Sequence, residues 1–448
     1  MSLYFEHTKQ TAAALAQSLR ERQITQLRFE LPDLAGLSRG KTVPIAHVES
    51  YARDGLNLYG GTVTLDSASN PITGTGYNED INFADCLMVP DPDTVSDVPW
   101  IANTARVICD TKWYDGTPQY AAPRTVLKRM LQKAADMGFG VKMGHEFEFY
   151  VVDLETRRPL YTGNPIFVTA ITHRHPALDG LMRVLAESGV DMITANGEFG
   201  PGQWELNFAA LEGIAAADRA FVFKNTVKEY LRGQGLLATF MTKPYAHLSG
   251  SCSHFHLSLY DLKSGEALFL DKDDPDGMSG LMKSFTQGIL DHAPAAQAIW
   301  NPTLNCYRRI RPGTFAPSNI SWGVEDRSAS VRIKASKDKR QHLEVRVPSA
   351  LSNPYLTAAA TLAAGLLGVK GEAVLAPERK GLKEADGSFT KLPTEIHESL
   401  AALRADAAFT EMLGAEFVKV YTIVKTAEIN RLRDEIPAAE VAEYFDLY

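Results

Sequence analysis

The segment GHEFEFYVVD (144–153) alternates Glu146 and Glu148 with Phe147, Phe149 and Val151. Successive side chains of a strand point to opposite faces, so this stretch, extended, carries two carboxylates on one face and apolar groups on the other. Three further segments repeat the pattern. In GQWELNF (202–208), Gln203, Glu205 and Asn207 alternate with Trp204, Leu206 and Phe208. In SCSHFHLSLY (251–260), Cys252, His254, His256 and Ser258 share a face opposite Phe255, Leu257 and Leu259. In HLEVRVP (342–348), Glu344 and Arg346 face away from Leu343, Val345 and Val347. Singly, each polar face reads as wetted sheet surface. Solvated faces, however, usually carry Lys, Thr, Ser and Gln, whereas these carry carboxylate, imidazole and guanidinium. Crowded carboxylates repel or take up protons unless a cation neutralises them. Oxygen ligands with a single imidazole suit Mg2+ or Mn2+ better than structural zinc, which favours thiolates or several histidines.

The chain has 448 residues, 45% hydrophobic and 22% charged, enough to bury a large globular core. A net charge of −8 without a Lys/Arg run argues against a nucleic-acid partner. The N-terminal stretch MSLYFEHTKQTAAALAQSLRERQ lacks an apolar segment and reads as an amphipathic helix, not a secretion signal. The longest apolar run, LTAAATLAAGLLGV (356–369), is too short to span a bilayer and reads as a buried helix. Cys86, Cys109, Cys252 and Cys306 form no CxxC pair, which fits a reducing compartment. These features predict a cytoplasmic protein with no membrane partner.

A helix at 8–22 is followed by strands in TQLRFELPD and LAGLSRGKTVP. A stretch rich in Gly, Asp, Asn and Pro then runs from Gly55 to about Trp100. The pattern predicts a small β-rich domain over 1–105 and a larger domain over 106–448. In the latter, RTVLKRMLQKAADMG forms a helix through the stripe Leu127, Met130, Leu131 and Ala134, stopped at Gly138. Strands and helices alternate from there, giving way to helices from about 353.

Arg308, Arg309, Arg311, Arg327 and Arg332 make 305–340 the densest arginine region of the chain. Guanidinium forks fit carboxylate and phosphate oxygens, so arginines beside a cation site suggest phosphoryl transfer, with surface ion pairs as the alternative. There is no GxxxxGK[ST] and no GxGxxG. A bound nucleotide would be held by metals and arginines.

With these residues in view, the sequence resembles the glutamine synthetase family over essentially its whole length. GHEFEF is similar to that family's G-x-E-x-E-F strand, and NGEFGPGQWE to its E-x-G-P-G-Q-x-E form. KPYAHLSGSCSHFHLSL is similar to K-P…G-S-x-x-H-x-H-x-S-L, and DRSASVRI to N-R-S-A-S-x-R-I. HLEVRVPSALSNPYL resembles R-x-E-x-R-x-P…A-N-P-Y-L. The resemblance implies an α+β fold: a small N-terminal β-grasp domain and a larger catalytic domain whose antiparallel strands form a curved funnel among helices. It implies ATP and two divalent metals, Mg2+ or Mn2+, one held by Glu148, Glu198 and Glu205 and the other by Glu146, His254 and Glu344. It further implies that Arg309 and Arg346 grip glutamate, with Gly250 near its amino end. Arg327 and Arg332 would neutralise the transferring phosphoryl group. His256, Ser258 and Lys339 would lie toward the nucleotide, where the family's next arginine is His342 here. The family assembles as homo-oligomeric rings, commonly dodecamers, with sites shared between subunits.

One departure bears on the substrate. Ammonia-using members carry a flap glutamate in P-G-x-E-A-P; here the stretch is RPGTFAP, with Phe315 at that position. A second acid, in the neighbouring subunit's F-D-G-S-S motif, matches Tyr59 of NLYGGTV. Rings hold a strongly hydrated ammonium ion poorly, whereas an organic amine gains from apolar contact and a cation–π attraction of about 0.5–2 kcal/mol. The expectation is an ATP-dependent ligase that forms a γ-glutamylamide from glutamate and an organic amine, polyamine or small monoamine. Related branches acting on such amines share the departure. The alternatives are a glutamine synthetase using ammonia and a catalytically silent structural member; the silent reading is disfavoured by the six ligand-type side chains. Asp326 for asparagine and Ser249 for asparagine are smaller departures, and GSFTKLP offers Phe389 but no tyrosine for adenylylation.

Overall fold

The computed structural model describes residues 11–163, 166–172, 175–311, 314, 316–379 and 389–445. Two sheets organise them. The smaller comprises β1 (Gln26–Pro32), β2 (Ser38–Pro44), β3 (Leu56–Tyr59), β4 (Asp85–Pro90), β5 (Ser96–Asp97) and β6 (Thr104–Lys112). Its order is β2-β1-β6-β4-β3, with β5 on β6. The β1–β6 pair is parallel and the others antiparallel. The expected N-terminal helix runs Ala12–Glu21, capped by Thr11 Oγ1, which accepts from Ala14 N at 3.1 Å. A second helix, Ile45–Asp54, was not expected; its apolar positions are sparse, and Val48 is the one fully buried. The boundary read at 105 falls inside β6. That strand pairs with β1 up to Glu30↔Ile108 and with β4 from Leu87↔Lys112, so we propose a division after Lys112.

The larger sheet comprises β7 (Phe139–Asp153), β8 (Met192–Gly197), β9 (Gln203–Phe208), β10 (Leu211–Glu212), β11 (Leu236–Thr239), β12 (Ser253–Asp261), β13 (Trp322–Val324), β14 (Val331–Lys334) and β15 (His342–Val345). Its order is β13-β14-β15-β12-β7-β9-β8, with β10 and β11 also on β7. All pairs are antiparallel except β13–β14. The fold is thus α+β, a small N-terminal sheet domain beside a larger catalytic domain with a curved sheet and surrounding helices. The four segments marked out by their alternation lie in β15, β12, β7 and β9, consecutive neighbours in this order.

Their apolar parity is the core. Phe147, Phe149, Trp204, Leu206, Phe255, Leu257, Leu343 and Val345 are all buried, and Phe223 of the helix Ile214–Gly233 stacks on Phe147 with centroids 5.6 Å apart. Fully burying one such side chain contributes about 1.5–3 kcal/mol. The predicted buried helix runs Pro354–Lys370, with Asn353 Oδ1 accepting from Tyr355 N at 3.0 Å. It crosses the helix Gly280–Trp300 so closely that a Cβ on Gly288 would stand 2.3 Å from Ala364 O. Among the described residues no helix is long and apolar enough to cross a membrane.

One buried ion cluster ties the two sheets together. Arg124 donates to Asp91 (2.7 Å) and Asp110 (2.8 Å) of the N-terminal layer and to Asp218 (2.8 Å) on the helix Ile214–Gly233. Lys128 Nζ joins Asp110 at 2.5 Å, and Tyr355 Oη donates to Asp218 at 2.7 Å.

Candidate active site

The two-residue period of the strands chooses the face, and the register chooses the neighbours. His254 on β12 stands opposite Glu146 on β7, and His256 opposite Glu344 on β15. Glu148 on β7 stands opposite Glu205 on β9, which faces Asn196 on β8. Arg332 on β14 stands opposite Glu344. Five strands therefore contribute charge to one surface, which opens into a cavity of about 330 Å³. Glu148, Glu198, Gly250, His254, Arg309 and Arg346 line it.

Glu146, His254 and Glu344 touch. His254 Nδ1 lies 2.7 Å from Glu146 Oε1 and 3.5 Å from Glu344 Oε1, and His256 Nε2 lies 3.6 Å from Glu146 Oε2. Burial raises the Glu146 carboxyl, but hydrogen bonds from His254 and His256 hold it well below the usual range. Burial also raises Glu344, yet His254 and then Arg346 carry it down to about 2.

The second group of carboxylates has no such counter-charge. Burial, then the charge of Glu148, pushes Glu198 up to about 7. Burial, then Glu146, Glu148 and Glu198, pushes Glu205 up to about 10. Carboxyls pushed up by burial and by one another mark a place where positive charge belongs. Hard oxygen donors with one imidazole fit Mg2+ or Mn2+.

The arginines are held by the backbone. Arg309 donates to the carbonyls of Val347 (3.0 Å) and Arg346 (3.1 Å). Arg346 Nε donates to Arg327 O at 2.9 Å, and its Nη1 to Glu344. A Cβ on Gly250 would stand 3.0 Å from Arg309 Cγ, so glycine there lets Arg309 lie against the chain. Arg332 reaches Glu344 (3.2 Å) and Glu325 (2.5 Å).

Other residues named from the sequence lie further out. The Arg327 and Lys339 side chains are exposed, and Ser258 stands opposite Lys142, beyond His256 on β12. His256 Nδ1 shares a 3.1 Å hydrogen bond with His342 Nε2; burial and His256 hold His342 down to about 4. Tyr59 ends β3 in the N-terminal sheet, where its hydroxyl donates to Asn78 Oδ1, and it does not line the cavity of its own chain. Phe315 lies outside the described residues, between Thr314 and Ala316, which do line the cavity.

Sequence reasoning passed over Cys252 and Gln203. Cys252 Sγ lies 3.0 Å from Glu148 Oε1 and 3.0 Å from His254 Nε2, and its N–H donates to Glu148 Oε2 at 3.1 Å. Glu148, Cys252 and His254 offer ligand atoms all within 4.8 Å of one another. Gln203 Nε2 donates to Glu148 Oε2 (3.2 Å) and Gly250 O (3.0 Å). Both residues share the charged parity of their strands, the signal that could have found them. Lys243 and His247 also border the cavity, from an irregular segment without periodicity.

Fold and surface together define a class: an α+β protein whose curled sheet gathers carboxylate, imidazole and guanidinium on one face. The model of the glutamine synthetase catalytic domain matches residues 120–444. Glutamate–isopropylamine ligase of Pseudomonas sp is 31% identical over 99% of both chains, and glutamine synthetase of Mycobacterium tuberculosis (strain ATCC 25618 / H37Rv) is 30% identical over 96% of this chain and 98% of its own. A solved GmaS/ADP complex superposes with a TM-score of 0.87 at 30% identity, covering 96% of this chain and 99% of that one. The chain belongs to the glutamine synthetase family, whose ligases use ATP and divalent metals.

Proposed function

We propose that this protein joins glutamate to an organic amine, forming a γ-glutamylamide at the cost of ATP. The observation that carries the reading is the flap. Thr314 and Ala316 border the cavity and Phe315 is the residue between them in the sequence RPGTFAP, which contains no acid to hold a small hydrated cation. The similar glutamate–isopropylamine ligase supports it. Glutamine synthetases at 30% identity keep ammonia as the second reading.

In this reading Glu148, Glu198 and Glu205 hold one divalent cation and Glu146, His254 and Glu344 the other. When bound, the cations neutralise phosphate charge and polarise the transferring phosphoryl group. Arg309 and Arg346 orient glutamate, with Gly250 leaving room at its amino end. The γ-carboxylate oxygen attacks the terminal phosphorus of ATP, the bond to ADP breaks, and an acyl phosphate forms. Arg327 and Arg332 stabilise the charge that moves, with His256, Ser258 and Lys339 toward the nucleotide. The amine nitrogen then attacks the γ-carbonyl carbon, phosphate leaves, and the nitrogen gives up a proton. Phe315 supplies an apolar wall, and Tyr59 of an adjacent subunit in a homo-oligomeric ring another.

Phe315→Glu tests the flap directly. The substitution should raise the ammonium rate relative to the organic-amine rate in a phosphate-release assay. An unchanged ratio overturns the reading.

A further inference from the structure

A larger cavity, about 640 Å³, lies outside the active-site cleft. That volume is in the range of small-molecule sites. Its lining is apolar through Phe240, Leu304 and Leu351, but among the described lining residues it carries four cations, Lys224, Lys228, Arg308 and Lys425, against one carboxylate, Glu428. Glu428 is already taken, paired with Lys425 at 3.2 Å. Lys224 is buried; its Nζ donates to the carbonyls of Ala350 (2.9 Å) and Ser352 (3.0 Å) and lies over the Phe147 and Phe240 rings. Two carbonyls do not neutralise an ammonium, and burial pulls this one down to about 7. Lys228 and Arg308 are exposed and, among the described residues, make no side-chain hydrogen bond or ion pair. The acids nearest Lys228 are engaged elsewhere, Asp33 with Arg39 (2.8 Å) and Glu229 with Arg28 (2.8 Å).

We propose that this cavity is a regulatory site for a small organic carboxylate with an apolar body. The surplus of cations selects the anionic head, and the apolar walls select the body.

The cavity is also wired to the active site. Asn305 lines it, and the Asn305 amide holds the backbone of Lys243 from both sides, accepting from Lys243 N at 2.8 Å and donating to Lys243 O at 2.9 Å. Lys243 lines the active-site cleft. Arg308 borders the outer cavity and Arg309, the next residue, borders the cleft. An anion drawing Arg308 inward acts on the segment that positions Arg309. Binding at one site then changes affinity at the other, reciprocally.

The test is a calorimetric titration of the full chain, without nucleotide or amine, using 3-phenylpropionate and its neutral amide as probes. Because it needs no turnover, its outcome is independent of which amine the enzyme uses. The acid should bind saturably, the amide far more weakly, and Arg308→Gln should weaken the acid by about tenfold, the loss of one charge-assisted contact. The KM for glutamate should shift with 3-phenylpropionate in the parent, and the same shift in Arg308→Gln should need about tenfold more of it; a KM that does not move in the parent overturns the coupling. The proposal is overturned by no saturable binding, by equal affinity for acid and amide, or by complete displacement of the acid by glutamate. Parent-like binding by both Arg308→Gln and Lys228→Gln overturns it as well.

Discussion

Glu148 and Glu205 face one another across β7 and β9, two carboxylates from strands that share a hydrogen-bond ladder. Their repulsion is built into the register. Because burial, then the charges of Glu146, Glu148 and Glu198, raise Glu205 to about 10 from the ordinary carboxylate value of 4.5, the folded state holds this proton more tightly than the unfolded chain does. Its stabilising contribution is therefore complete below about pH 4.5 and is lost progressively as pH rises toward the folded value. Glu205→Gln removes that dependence. In metal-free protein the variant's melting temperature should exceed the parent's by a margin that widens between about pH 5 and about pH 8. With saturating Mn2+ the order should invert if Glu205 is a ligand as proposed, since a cation held there would take the ionised carboxylate. Thermal scans that superpose at every pH would contradict the repulsion.

Cys252 links the two halves of the site. Its thiol donates to Glu148 Oε1 and its sulfur lies 3.0 Å from His254 Nε2, while His254 Nδ1 faces Glu146 and Glu344. Partners of this kind fix the tautomer and orientation of metal-binding histidines, and losing one weakens metal affinity by about 10–100-fold. Cys252→Ala should do so in a Mn2+ titration followed by electron paramagnetic resonance, whereas Cys252→Ser should stay near the parent. Unaltered affinity in Cys252→Ala would show the thiol to be packing alone.

Arg124→Met strands three acids, Asp91, Asp110 and Asp218; among the described residues, Asp110 keeps a direct ion pair, with Lys128. Breaking a buried cluster by removing one partner costs about 3–5 kcal/mol. Urea denaturation should show a loss of that order, with the N-terminal layer released first. A loss within about 0.5 kcal/mol, the scale of surface substitutions, would contradict this cluster's role in joining the sheets.

The alternating strands were legible because a period of two leaves its mark on any segment packed on one side. Their adjacency was not: nothing in GHEFEF or GQWELNF states that Glu148 meets Glu205, since register is fixed by contacts between distant segments. Glu198 and Lys339 lie outside the strands, without periodicity, and were reached through family motifs alone, whereas Arg327 also stood in the arginine-dense region. The division read at 105 falls inside β6, whose segment TARVICDTK is nearly continuously buried and carries no polar break of the kind a linker shows. Cys252 was in view on the right face, but cysteines were judged by spacing to one another rather than by their strand neighbours.

The central claim is a glutamate-activating cation site beside an amine pocket whose flap has no acid. The most direct measurement is the rate of phosphate release from ATP, Mg2+ and glutamate with ammonium, methylamine, ethylamine, isopropylamine, ethanolamine, putrescine, spermidine or aniline. The account predicts that at least one carbon-bearing amine surpasses ammonium in kcat/KM. Ammonium outperforming every organic amine would contradict it.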